Sequence, residues 1–254
     1  MTETVIYERI TEKEYGIITL NRPNKRNAIS LAMAEELMQC IQFAKKDKIK
    51  FLVVTGAGER TFCAGGDLNE MHGNLSEHEA FDSLIKMMQV LYELATIPIP
   101  TIALLNGSAV GGGCELATAC DIRIAKNNTK YGFVQTNLGI IPGWGGGVLL
   151  ARRVHHSFSN QWIMEGSLYE AEALREKGWI HRIVEESEWE DTDKLLKPYL
   201  TKSFKQMEIL KELFLDTIGV IGLEDKMKRE VQKCASLWES EAHKKAVTDF
   251  HNRS

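Results

Sequence analysis

The stretch GSAVGGGCELATACDIRIA, residues 107–125, sets three consecutive glycines against the start of an apolar helical run. Glycine tolerates positive φ and lets backbone approach other atoms closely, while the first turn of a helix leaves its amide N–H groups unpaired. Gly111, Gly112 and Gly113 therefore either aim amides at an oxygen that gains negative charge or serve a tight strand-to-helix turn. This stretch alone leaves both readings open. Glu115, in the first helical turn, is equally double-edged, because the helix dipole favours a carboxylate there whether or not it does chemistry.

The rest of the chain repeats the same grammar. VIYERI and GIITLNRP alternate as two strands around a charged turn, the second stopped by Pro23. Ser30 reads as the N-cap of a helix through about Lys45, with Ala34, Leu37, Met38, Ile41 and Ala44 on one face. FLVVTG (51–56) is a strand covered on both faces. A loop, AGERTFCAGGDLNEMHGN, then leads to a Ser76/Glu79 capping box, a helix through about Ala95 and a buried strand in PTIALLNG. DIRIA and KYGF are short strands, VLLARRV starts a helix after GIIPGWGGG, two more helices fall within 158–180, and WIHRIVEE holds a further strand. Beyond residue 196 the pattern is purely helical. We thus divide the chain into an α/β core, 1–195, and a helical segment, 196–254, too short to stand alone and expected to dock on the core or on another subunit.

With 44% hydrophobic and 26% charged residues and a formal net charge of -4, the sequence carries no general attraction for nucleic acid. Lysines 45, 46, 48 and 50 read as the solvated end of a helix. Five irregularly spaced cysteines form neither a disulfide framework nor a zinc pattern, which fits reduced thiols in the cytoplasm. The charged MTETVIYERITEKEYG lacks the apolar core of a signal peptide, and Pro98, Pro100 and the glycines break the one long apolar stretch, so no membrane association is expected.

Familiar single motifs fail in detail. GAGERT lacks the third glycine of a dinucleotide fingerprint, PGWGGGVL lacks the Gly-Lys-Ser/Thr of a phosphate loop, and Ser108 has Asn106 where a nucleophile elbow needs glycine. Taken together, however, LNRPNKRNAIS, FCAGGDLNEM, PTIALLNGSAVGGGCELATACDIRIA, LGIIPGWGG and EALREKGWIHRIV resemble, in order and spacing, the crotonase superfamily, also called the enoyl-CoA hydratase/isomerase family. The resemblance spans about residues 5–186.

It implies a spiral of ββα turns with C-terminal helices, assembled as trimers or dimers of trimers, that binds acyl-CoA thioesters and needs no metal or redox cofactor. The family's two oxyanion-hole amides fall on Gly66 and Gly112, and Glu115 matches the first of two catalytic glutamates. Cys63, Ala64, Asp67 and Leu68 of the first loop are placed along the ligand, Asp67 as an ordering group, with His72 a solvated neighbour. Arg22, Lys25 and Arg26 are candidate contacts for the CoA phosphates, or else a solvated basic loop. Asn137 is placed at the site, and Trp144 either lines the acyl pocket or fills the core.

At the second glutamate position this chain has Gln135, which cannot titrate. Decarboxylation of a malonyl-type thioester becomes the leading expectation, since loss of CO2 makes the enolate without a second acid and Gln135 would not repel the substrate carboxylate. TNLGI and GIIPGWGG are similar to segments of methylmalonyl-CoA and ethylmalonyl-CoA decarboxylases. Hydration by Glu115 alone is the alternative, and a thioester-binding protein without turnover is a second. Binding of RNA through KKDKIK runs against the acidic balance.

Overall fold

A computed structural model describes residues 3–71 and 75–252; His72 lies outside the described residues. The ten strands are β1 (Val5–Ile10), β2 (Tyr15–Leu20), β3 (Leu52–Gly56), β4 (Thr61–Cys63), β5 (Thr101–Leu105), β6 (Ser108–Val110), β7 (Ile122–Lys126), β8 (Lys130–Gly132), β9 (Tyr169–Glu170) and β10 (Arg182–Val184). Helices α1 (Leu31–Lys46), α2 (Leu68–Met71), α3 (Glu77–Thr96), α4 (Gly112–Ala119), α5 (Gly146–Leu150), α6 (His156–Glu165) and α7 (Ala171–Glu176) are interleaved with them. After β10 come α8 (Glu186–Trp189), α9 (Thr192–Leu200), α10 (Phe204–Ile218), α11 (Leu223–Ala235) and α12 (Glu241–His251).

The strands form two sheets, one ordered β1-β2-β3-β5-β7-β10 and one ordered β4-β6-β8-β9. Only β1/β2 and β8/β9 pair antiparallel. From β3 to β8 each turn of the chain lays one strand in the larger sheet and the next in the smaller, a mixed α/β spiral. Strands covered on both faces must be apolar throughout, and β5 is buried at every residue while β3 exposes only Thr55 in part.

Local chemistry fixes the helix starts. The Ser30 side chain accepts from Met33 N, and Ser76 and Glu79 form a reciprocal capping box at α3. The helix expected at VLLARRV begins at Gly146 and stops at Leu150. The boundary drawn at residue 196 falls inside α9, so the helical run starts earlier than its composition suggests. Those helices dock on their own core: Leu195, Leu196 and Met207 pack with Tyr15 and Phe51 on one face of the large sheet. Met227, Val231, Cys234 and Trp238 join the main core. The lysines at and beyond the end of α1 are partly engaged by carboxylates, Lys45 with Glu93 and Lys50 with Glu14.

Candidate active site

Each glycine of the 111–113 triplet answers a different steric demand. Gly111 caps α4 at φ 54° and ψ −122°, a conformation that side chains oppose. A Cβ on Gly112 would lie 2.3 Å from the Trp144 ring, and one on Gly113 2.1 Å from the Cys63 carbonyl oxygen. The neighbouring loop comes equally close, since a Cβ on Gly65 would sit 3.2 Å from Gly112 N. Ile29 pairs with the residues flanking Gly66, donating to Gly65 O (2.8 Å) and accepting from Asp67 N (2.8 Å). Among the backbone bonds of the described residues, neither Gly66 N–H nor Gly112 N–H is used as a donor. Two free amides thus meet on the wall of one cavity of about 570 Å³.

Glu115, on the first turn of α4, reaches that cavity although the residue is only 2% exposed. Its Oε2 accepts from the amides of Trp144 and Gly146, both at 2.9 Å. Its Oε1 accepts from Gln135 Nε2 at 2.8 Å and from Gly143 N at a longer 3.3 Å. Burial pushes its carboxyl above the usual range, against the opposing pull of those four donors. Gln135 is 7% exposed, and its Oε1 is buried without a hydrogen-bond partner.

Several expected residues line this cavity: Ala64, Gly66, Asp67, Leu68, Asn137 and Trp144. Trp144 is 3% exposed and contributes to the cavity wall while its backbone amide holds Glu115. Lys25 and Arg26 are exposed and also contribute to the cavity lining. Asn137 Nδ2 donates to Gly166 O at 2.8 Å.

Two expectations are corrected. Arg22 does not line the cavity: its guanidinium is held by Ala28 O at 2.7 Å and Asp67 Oδ2 at 3.0 Å, so it ties the two loops together. Cys63 does not line the ligand space either. It is fully buried, and its Sγ accepts from Gly65 N at 3.4 Å. Asp67 accepts from Arg22 and so links its loop to the one before α1.

Sequence reasoning missed the second glycine run. Gly145, at φ 82°, caps α5, and the amides that GWGGG presents hold this chain's own Glu115. A Cβ on Gly146 would lie 2.4 Å from Glu115 Cβ. Cys234 and Trp238, from the C-terminal helical stretch, line the cavity along with Leu84, Ile140 and Ile141. A further miss is Glu230, on α11, whose Oε1 and Oε2 accept from Gly147 N (3.1 Å) and Val148 N (2.8 Å). It stands between Met227, Val231 and Cys234 on the buried side of its helix, a charge inside an apolar stripe and hence visible in principle.

Comparison with known proteins adds an independent line. The family model described as enoyl-CoA hydratase/isomerase matches residues 11–254. The short-chain-enoyl-CoA hydratase of Clostridium acetobutylicum is 37% identical over 189 residues, 73% of this chain and 72% of that protein. The crotonyl-CoA hydratase of Syntrophomonas wolfei is 33% identical over 187 residues, 73% of this chain and 71% of its own. In three dimensions, the enoyl-CoA hydratase of Bacillus halodurans superposes with a TM-score of 0.87 over 97% of this chain and all of that one, at 23% identity.

Proposed function

As a member of the enoyl-CoA hydratase/isomerase family, this chain is an enzyme acting on acyl-CoA, and we propose that it adds water to a short enoyl-CoA thioester with Glu115 as the carboxylate that transfers the proton, Asp67 on the same cavity being engaged by Arg22. The observation that carries this reading is the Glu115–Gln135 pair facing the two free amides across one cavity. The thioester oxygen sits between Gly66 N–H and Gly112 N–H. Glu115 Oε1 takes a proton from water, the water oxygen bonds to the β-carbon, and the C=C π electrons move into a thioester enolate held by both amides. Glu115 then returns the proton to the α-carbon. Its Oε2 is tied to two short amide bonds, so Oε1, with one of its two contacts long, is the oxygen that exchanges the proton.

Gln135 supports hydration better than the decarboxylation its sequence position suggests. Its amide donates to Glu115, and its free Oε1 is an acceptor, suited to a water O–H and repelled by a substrate carboxylate. The named relatives above are hydratases as well. The test is to incubate the protein with crotonyl-CoA, methylmalonyl-CoA and ethylmalonyl-CoA and follow each thioester by mass spectrometry. Gain of water on crotonyl-CoA is expected, and Glu115→Gln should lower that turnover by at least about a hundredfold. Loss of CO2 from either malonyl-type thioester, with no hydration, restores decarboxylation; no change in any of the three leaves a binding protein.

A further inference from the structure

The first turn of α5 is shared by two carboxylates from distant parts of the chain. Trp144 N and Gly146 N donate to Glu115, and the next two amides, Gly147 N and Val148 N, donate to Glu230. The packing admits both only because of glycine: a Cβ on Gly146 would meet Glu115, and one on Gly147 would lie 2.6 Å from Glu230 Oε2. We propose that Glu230 is the second carboxylate of this site, a positioning residue that shares the α5 amides with Glu115 and acts on the reaction through it.

The physical basis is that two like charges on successive amides of one turn cannot both ionise freely, so the pair retains one proton over a range of pH. Burial and the charge of Glu115 push Glu230 well above the ordinary carboxylate range. With Glu115 accepting from three backbone amides and the Gln135 side chain, and Glu230 from backbone amides alone, Glu115 ionises first and Glu230 keeps the shared proton. Among the described residues, no cation relieves the pair. Arg152, just past α5, turns to Val148 O and Ile218 O, and on α3 Lys86 pairs with Glu35, Glu93 with Lys45 and Asp82 with His78, while Tyr92 feels Glu224 and Glu93. The nearby thiols are occupied too, Cys114 donating to Ala109 O and Cys234 to Ile141 O.

This inference rests on Glu115 being the proton-transferring group, and its test keeps the two ideas apart. The pH profile of kcat/KM for crotonyl-CoA hydration should show two ionisations belonging to the pair. Glu230→Gln, a mimic of the protonated form, should lose the upper one and keep the lower. A uniform drop at every pH, or an unmoved profile, would make Glu230 merely structural and overturn the proposal. Carbon-13 NMR of glutamate side-chain carboxyls in the unsubstituted protein supplies a reading that needs neither turnover nor a variant. The Glu115 resonance should titrate in two steps, and a single step overturns the proposal. If crotonyl-CoA is not hydrated at all, the functional reading fails while the NMR titration still decides this one.

Discussion

At the scale of single residues, the site is a set of positions where a methyl group is forbidden. Gly112, whose amide is one of the two we propose for the enolate, at the same time faces the Trp144 ring. Gly112→Ala forces either the ring or the first turn of α4 to move, and with it the amide. We expect kcat to fall by about a hundredfold, the size of effect seen on losing one such donor, with the dissociation constant for a CoA thioester changed far less; unchanged kcat would place the enolate elsewhere. The glycines and Glu115 were legible in the sequence because close approach and the helix dipole are local demands. Arg22 was not, since a cationic side chain near a basic loop looks the same whether it meets a phosphate or, as here, the buried Asp67. Nor was the orientation of Gln135, which depends on a carboxylate twenty residues away.

At the scale of elements, helical spacing reveals that a segment is helical more readily than which side it buries. FKQMEILKELFLD reads correctly as a helix, yet α10 buries Met207 and Lys211 and leaves Ile209, Leu210 and Leu213 exposed. Its anchor is polar. Lys211 Nζ donates to Asp121 Oδ2 at 2.7 Å and to Ala95 O at 3.0 Å, and Asp121 also meets Arg153 at 3.3 Å. Burial pulls the Lys211 ammonium below its usual pKa, with Asp121 opposing that shift. Asp121→Asn removes the carboxylate that meets both cations and leaves them buried together. The expected loss is roughly 3 kcal/mol, a fall in Tm of roughly 10 °C for a chain of this size, measurable by thermal unfolding; a change under about 1 kcal/mol would show that the pair is effectively solvated.

At the scale of the whole molecule, the cavity draws on residues from Asn24 to Trp238, and no local pattern announces that range. The parallel order β2-β3-β5-β7-β10 brings these segments together, and its last strand leads into the C-terminal helices. That join turns on one histidine. His181 N donates to Arg123 O at 3.0 Å, and Arg123 N donates to His181 Nδ1 at 3.2 Å, which requires an unprotonated Nδ1. Burial, helped by the charges of Arg123 and Arg153, lowers the His181 pKa from 6.5 to about 4. The unfolded chain therefore binds more protons than the folded one between those values. The contribution of His181 is fully present above pH 6.5 and fades as the pH falls toward 4. The exposure of the residue as a whole, at the sheet edge, lets solvent soften the effect. Denaturant unfolding across this window should show stability declining with acid, and less steeply in His181→Asn, whose side-chain oxygen can still accept the Arg123 N–H without titrating. An equal slope in both proteins would move the acid sensitivity to other groups and leave the β7–β10 join indifferent to pH.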